Sequence, residues 1–167
     1  MSSVYVSIGS NLDREANIQK SLHLLDQRFN GLRCSSIYET IPVGFSGALF
    51  YNLVAMFYTQ RTPAEVVAEL KHIEDLCGRD RQQQKFSNRS VDLDLLLYDD
   101  LILEEGKVSI PRNEILHYAF VLEPLAELAP DLKHPQLGIS YSRLWLEFNK
   151  YDESQRRIDG LLDKLLA

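Results

Sequence analysis

The sequence predicts an α+β sandwich of β-α-β-β-α-β order, extended by hairpin strands and C-terminal helices. Three observations carry the prediction. Two stretches with helical apolar spacing are each flanked by β-rich runs. Helix start and stop signals fall at their ends. The length, 167 residues, suits one domain, residues 1–167, and would cramp two.

Val4-Tyr5-Val6-Ser7-Ile8 is β-rich and ends at the turn signal Gly9-Ser10-Asn11. A helix follows over Asp13 to Phe29, where Ile18, Leu22, Leu25 and Phe29 fall at i, i+4, i+7 and i+11 on one face. Asn30-Gly31 ends it. Leu32 to Thr40 reads as one strand, stopped by Pro42 and Gly44, and residues 41–49 form a loop. Tyr51 to Tyr58 is the next strand. Thr62 then caps a helix with Pro63 at its first position and Glu65 completing a capping box. Val66, Leu70, Ile73 and Cys77 line one face of that helix, and Gly78 stops it. Residues 79–89 are a polar loop, and Val91 to Tyr98 is a strong strand. Asp99-Asp100 and Glu104-Glu105-Gly106 are turns, with a further strand over Lys107 to Ile110. Helical segments are expected over 120–129 and 153–167, the second within a C-terminal extension, 131–167. Two βαβ units of this order give the ferredoxin-like arrangement, an antiparallel sheet with helices on one face.

Composition removes several function classes. Hydrophobic residues make up 45% and charged residues 25%, as in a folded soluble chain. The net charge of −6 argues against a general nucleic-acid binder. A single-stranded RNA binder on this fold would need exposed aromatics on a basic sheet face, which the same charge disfavours. No run reaches the roughly 18 apolar residues of a membrane span, and the N-terminus has no charged region leading into an apolar one. Cys34 and Cys77 make no CxxC pair, so neither a disulfide framework nor a structural zinc site is expected, and a cytoplasmic protein is. The four His residues lack metal-ligand spacing; His72 reads as surface and Cys77 as core.

Three constellations could carry chemistry. Asp92-Leu93-Asp94 sits in the last strong strand, so both carboxylates face one way, with Cα atoms about 6.5–7 Å apart, while Val91, Leu93, Leu95 and Leu97 take the other face. Such paired carboxylates repel unless a hard cation sits between them, and Mg²⁺ bridging phosphates suits oxygen ligands of this kind. The stretch Gly78 to Arg89 carries Arg79, Arg81, Lys85 and Arg89 against Asp80, a net +3, leaving −9 on the rest of the chain. A basic loop beside paired carboxylates fits a phosphate–Mg²⁺ site, since guanidinium forks match phosphate oxygens. No G-x-x-x-x-G-K-[ST] occurs, so this is not a P-loop. The third set, Thr40, Pro42, Val43, Phe50, Asn52, Phe86 and Phe120, would let a flat heteroaromatic ring stack while Asn52 reads its edge, or would simply pack in the core.

Taken in order, Ser7-Ile8-Gly9-Ser10-Asn11-Leu12, Tyr38-Glu39-Thr40 with Pro42 and Gly44, Tyr51-Asn52, Ile73-Glu74 with Gly78-Arg79, Arg89-Ser90-Val91-Asp92-Leu93-Asp94-Leu95-Leu96, Ile110-Pro111, and Ala119-Phe120-Val121-Leu122 with Pro124-Leu125 resemble the 6-hydroxymethyl-7,8-dihydropterin pyrophosphokinase family over about residues 4–130. The resemblance implies a ferredoxin-like enzyme of folate synthesis that moves the β,γ-pyrophosphoryl group of ATP to the pterin hydroxymethyl oxygen and releases AMP. It implies two Mg²⁺ on Asp92 and Asp94, with Arg79 and Arg89 as catalytic groups on the transferring phosphates. Nucleotide contacts would come from Glu74, Arg81, Lys85, Leu95, Lys107 and Arg112. Pterin contacts would come from Thr40, Val43, Phe50, Asn52, Phe86 and Phe120. The partners implied are small molecules only, with no nucleic acid and no membrane, in a monomer or weak oligomer. The sequence departs from the family pattern at Phe86-Ser87-Asn88, usually Trp-Gly-Pro, at Ile41, usually Pro, and at Arg112, Leu116 and Tyr118, usually cationic or His nucleotide contacts. Those departures imply weaker ATP binding. The second reading is a catalytically weak paralogue that binds pterin or nucleotide in a regulatory role.

Overall fold

The computed structural model describes residues 1–41, 47–78, 90–149 and 155–167. Its elements run β1 (Ser2–Ser10), α1 (Arg14–Arg28), β2 (Asn30–Cys34), β3 (Ile37–Thr40), β4 (Phe50–Thr59), α2 (Pro63–Leu76), β5 (Asp92–Tyr98), β6 (Leu103–Glu105), β7 (Val108–Ile110), α3 (Glu114–His117), α4 (Ala119–Leu128), α5 (Tyr141–Glu147), β8 (Gln155–Ile158) and α6 (Leu161–Leu166). The main sheet has order β5-β1-β4-β3-β8, with β2 also paired to β4, and every pairing is antiparallel. Counting β2 and β3 as one bent strand, this is the strand order of the ferredoxin-like fold, and the prediction of that fold holds.

Alternation decides what lies on each face. Val4, Val6 and Ile8 of β1, Leu53, Ala55 and Phe57 of β4, and Leu93 and Leu95 of β5 meet the apolar stripes of α1 and α2. Each of these side chains other than Ala55, fully buried, contributes roughly 1.5–3 kcal/mol. The predicted cap of α2 is present: Thr62 Oγ1 accepts from Glu65 N at 3.2 Å, and Glu65 Oε1 accepts from Thr62 N at 2.9 Å.

Five expectations need correction. The helices do not keep to one face. A second apolar cluster of Val54, Leu96, Leu97, Ile115, Val121, Leu122, Leu125 and Tyr141 packs α3, α4 and α5 against the opposite side. Second, Leu97 leaves the Leu93 face, because a bulge opposite Tyr5/Val6 inserts one residue into β5 and turns Leu96 and Leu97 to the same side. Third, the strand expected over 32–40 is two strands. Cys34 faces Ala55 but Tyr38 faces Asn52, so the register shifts by one residue at Ser35-Ser36. Hydroxyls fill the break: Val54 N donates to Ser35 Oγ at 3.0 Å, and Ser36 Oγ donates to Glu127 Oε2 at 2.8 Å. Fourth, Glu104 and Glu105 belong to β6 rather than to a turn. Glu105 pairs with Val108 across Gly106-Lys107, and the positive φ of Gly106, 60°, permits this two-residue hairpin. Fifth, the helix expected over 153–167 begins as β8, an edge strand beside β3, and only its Leu-rich end is helical as α6 on α1. The helix α5 was not expected, although Ser140 caps it by accepting from Arg143 N at 3.3 Å and Tyr141, Leu144 and Trp145 follow helical spacing.

Candidate active site

Register places the site. Asp92 of β5 pairs with Gly9 of β1, Gly9 with Asn52 of β4, and Asn52 with Tyr38 of β3. Directly opposed residues share a face, so a single row crosses the sheet: carboxylate, bare backbone, amide, phenol. Strand spacing puts Asp92 and Asn52 about 10 Å apart at Cα. Gly9 leaves the floor between them open. A Cβ there would lie 2.7 Å from Asn52 Oδ1.

On the amide side, Asn52 is buried and its Nδ2 donates to Thr40 Oγ1 at 2.6 Å. That bond turns the amide so that its oxygen stands over Gly9. Phe50 lies two residues earlier on the same face of β4 and is half-buried. α4 crosses above β4 and β3 and carries Phe120, also half-buried, which stacks on Tyr118 with centroids 5.0 Å apart and planes at 18°. Two partly open rings beside a buried amide can hold a flat polar heterocycle. Glu127 of α4 accepts from Tyr38 Oη at 2.7 Å, fixing α4 to β3 at the far end of the row.

On the carboxylate side, a cleft of about 170 Å³ opens between α2, β5 and the β6–β7 hairpin. Glu74, Asp92, Asp94, Lys107, Ser109 and Arg112 supply polar groups to it, and Leu95 lies in its wall. Burial pushes the Asp94 carboxyl up to about 6; Arg112 opposes the shift, and Asp92, Glu74 and Glu114 add to it by repulsion. The Asp94 side chain still keeps 43% of its surface open, so a cation can reach it. Arg112 Nη2 stands 3.6 Å from Asp94 Oδ1, and its Nε 2.9 Å from Glu114 Oε2. Glu74 is buried, and its Oε2 accepts from the backbone N–H of Leu93 at 2.7 Å, which fixes the carboxylate strand against α2.

The end of β1 at Ser10, and Asn11 just after it, tie down chain on both sides. Ser10 Oγ donates to Leu12 O at 3.2 Å and also bonds to Ser90 O, where the chain re-enters after residue 89. Ser90 Oγ donates to Gly78 O at 3.3 Å, holding together the described residues on either side of 79–89. Asn11 Nδ2 donates to Ala48 O at 3.1 Å, and Arg14 Nη1 to Leu49 O at 3.0 Å, anchoring the end of the 41–49 connection.

Thr40, Phe50, Asn52 and Phe120 thus gather at one end of the row and Asp92 and Asp94 at the other, with Glu74, Leu95, Lys107 and Arg112 around the adjoining cleft. Val43, Arg79, Arg81, Lys85, Phe86 and Arg89 lie outside the described residues. The sequence reads Gly9-Ser10-Asn11 as a turn, but Gly9 and Ser10 are the last two residues of β1, held as strand by pairing to β4 on one side and, at Gly9, to β5 on the other. Val67, Lys71 and Ser109 also line the cleft, and only a three-dimensional arrangement of α2 beside the hairpin brings them there.

The sequence profile described as 7,8-dihydro-6-hydroxymethylpterin-pyrophosphokinase (HPPK) matches residues 5–130. A Bacillus subtilis protein named 2-amino-4-hydroxy-6-hydroxymethyldihydropteridine pyrophosphokinase is 32% identical over 160 residues, covering 89% of this chain and 93% of that one. The Haemophilus influenzae protein of the same name is 33% identical, covering 83% of this chain and 89% of that one. The folic acid synthesis protein fol1 of Pneumocystis carinii is 32% identical over 89% of this chain, which spans only 20% of that longer protein. Among solved structures, Plasmodium falciparum HPPK-DHPS with pteroate superposes with a TM-score of 0.73 at 16% identity, covering 87% of this chain and 42% of that one, a likeness of fold. With the profile match running from β1 through α4, across the whole row from Asp92 to Tyr38, the chain belongs to the 7,8-dihydro-6-hydroxymethylpterin-pyrophosphokinase family.

Proposed function

We propose that this chain transfers the β,γ-pyrophosphoryl group of ATP to the hydroxymethyl oxygen of 6-hydroxymethyl-7,8-dihydropterin and releases AMP. The observation that carries the reading is the row Asp92–Gly9–Asn52. It sets a phosphate-side carboxylate pair about 10 Å from an amide–aromatic floor, with bare backbone between them. In the reaction the hydroxymethyl oxygen bonds to the β-phosphorus, and the bond from that phosphorus to the α,β-bridging oxygen breaks, leaving AMP. Catalysis of this kind rests on placing the two substrates and neutralising charge.

The pterin lies on Asn52, Thr40, Phe50 and Phe120, with Val43 and Phe86 completing the pocket. The nucleotide takes the cleft between α2 and the hairpin, with Leu95, Lys107 and Arg112 along it, Arg81 and Lys85 arriving from the basic segment, and Glu74 shaping its floor through Leu93. Arg79 and Arg89 act on the transferring phosphates. Asp92 and Asp94 would hold Mg²⁺, two ions as the family resemblance implies. The donor set fits: among the described residues no third acidic, His or Cys side chain completes a protein-only metal cage, and Mg²⁺ ordinarily takes one or two carboxylates and leaves the rest to phosphate and water. Bound there, Mg²⁺ supplies charge neutralisation to the phosphates. The free thiols Cys34 and Cys77 support a cytoplasmic location.

The test is AMP release by the purified protein from ATP and Mg²⁺, with and without 6-hydroxymethyl-7,8-dihydropterin. AMP should form only with the pterin and in equal amount to its diphosphate. Release of ADP, or AMP formation indifferent to the pterin, overturns the reading.

A further inference from the structure

The family match stops at residue 130, yet β8, formed from residues 155–158, reaches the pterin end of the row. Gln155 pairs directly with Thr40, so both side chains face α4. Its Nε2 donates to the backbone carbonyl of Ala119 at 3.1 Å and to Glu123 Oε1 at 2.5 Å. Those two acceptors use both hydrogens of the amide. Ala119 is the first residue of α4, and the next residue is Phe120. Thr40 in turn accepts from Asn52 Nδ2 at 2.6 Å. One side chain therefore joins the helix end that carries the stacking ring to the strand that orients the reading amide.

The attachment matters because it adds directed side-chain hydrogen bonds to a helix end otherwise seated by the apolar packing of Val121 and Leu122. Among the described contacts, Tyr118 precedes α4 with no side-chain cap. Pro124 has no N–H, so the helical bond that the Phe120 carbonyl would accept is missing. On the opposite side of the pocket, Asn52 is held inside the sheet. The separation between ring and amide thus depends on how α4 is seated over β4 and β3, and at this end Gln155 supplies directed side-chain hydrogen bonds to it.

We propose that Gln155 is a positioning residue for the pterin: it sets the gap between Phe120 and Asn52 without touching the reacting atoms. This rests on the pyrophosphokinase reading given above. Backbone pairing of β8 does not need the amide, so side-chain substitutions separate the positioning role from the strand's structural one. Gln155→Ala removes both donated bonds. Gln155→Glu keeps the length but faces two acceptors with a third, and adds a charge beside Glu123. Combining Gln155→Glu with Glu123→Gln restores a donor–acceptor pair.

Steady-state kinetics of the full chain, varying pterin and ATP separately, decides the matter, with thermal unfolding run alongside. Gln155→Ala should raise the pterin KM about five- to tenfold, the effect of one or two modest hydrogen bonds, with the ATP KM unchanged. Gln155→Glu should be worse than Ala, and adding Glu123→Gln should recover part of the loss. A pterin KM unchanged in both single variants overturns the inference while leaving the pyrophosphokinase reading intact. So does a parallel rise of both KM values with a lowered Tm, the signature of general loosening. If the wild-type chain shows no pterin-dependent AMP release, the reading itself fails and takes the inference with it.

Discussion

Asn52 Oδ1 occupies the space that a side chain on Gly9 would need, 2.7 Å from an ideal Cβ. The amide cannot simply swing aside, because its Nδ2 is committed to Thr40 at 2.6 Å. Gly9→Ala should therefore cost about 1–3 kcal/mol as an overpacked site. It should also raise the pterin KM at least about tenfold, since a displaced Asn52 loses its aim. Pairing it with Asn52→Ala should restore stability but not pterin binding, a non-additivity expected of touching residues. Chemical denaturation and pterin titration of the four proteins check this, and an unchanged pterin KM in Gly9→Ala alone would sink it.

Ser10 and Asn11 are neighbours that hold different segments, which makes their effects separable. Ser10 bonds to Ser90 O at the root of the basic segment, and Asn11 to Ala48 O at the root of the 41–49 connection. Ser10→Ala should lower kcat/KM for ATP, and Asn11→Ala should raise the pterin KM. Each loss corresponds to roughly 0.5–1.5 kcal/mol, one hydrogen bond. Both substitutions acting on the same substrate would show that the end of β1 does not divide its work this way.

Glu74 gives a sharper contrast. Its buried carboxylate accepts from Leu93 N at 2.7 Å, so Glu74→Ala leaves that N–H without its acceptor and should destabilise the fold by about 1–3 kcal/mol. Glu74→Gln keeps an acceptor oxygen and should fold nearly as well. Because Glu74 also repels Asp94, the Gln variant should lower the Asp94 pKa, visible by carboxyl ¹³C NMR. A Gln variant as unstable as Ala would refute the hydrogen-bond account.

The order of strands and helices through β5 can be read from the chain because α1 and α2 announce themselves locally. Thr62-Pro63-x-Glu65 is a complete start signal, and α1 and α2 show their apolar faces in one dimension. Bulges do not. The extra residue at Ser35-Ser36 is settled by what the facing strand and helix offer, here Val54 and Glu127, and the turn of Leu97 to the α4 side by a bulge opposite Tyr5/Val6. The start of β8 reads as helix in the sequence because Gln155 to Ile158 are polar enough to suit either state, and only the edge of β3 selects a strand. The carboxylate pair and Asn52 were identifiable as residue types with a chemistry. Their alignment through Gly9 was not, since cross-strand register is a property of three strands at once.

The pH dependence follows from Asp94. Its carboxyl is raised to about 6, chiefly by burial, against an ordinary value near 3.9 for an unfolded chain. Between roughly pH 4 and pH 6 the native state keeps a proton that the unfolded state has lost, so without metal stability should fall as pH rises through that window. Asp94→Asn should flatten that part of the stability curve and still fold. Mg²⁺ competes with the same proton, so Mg²⁺-dependent turnover should decline as pH drops below about 6. Asp92→Asn and Asp94→Asn should each remove most activity. Thermal melts in EDTA across pH 4–7 and turnover against Mg²⁺ concentration test both halves; near-normal turnover of either Asn variant would remove the pair from the metal assignment.

Tyr118, where the family resemblance implies a cationic contact, has other work in the structure. Its ring stacks on Phe120 at 5.0 Å and it packs with Leu116 against the second apolar cluster. Tyr118→Arg brings a guanidinium toward the phosphates, and a charge-assisted bond there is worth about 1.5–3 kcal/mol, so ATP should bind more tightly. The same change strips Phe120 of its stacking partner, a pair worth about 0.5–1.5 kcal/mol, so pterin should bind more weakly. Tyr118→Phe keeps the stack and should leave both affinities alone. Arg112, with Lys71 and Lys107 one of the cations around that cleft, is shared between Asp94 at 3.6 Å and Glu114 at 2.9 Å. Arg112→Ala should loosen ATP, and it should raise the Asp94 pKa further by removing the charge that opposes the shift. Calorimetric titration of ATP and pterin into the three variants separates the effects. If Tyr118→Arg weakened both ligands alike, the side chain would be acting through packing alone, and the nucleotide phosphates would have to lie away from the start of α4.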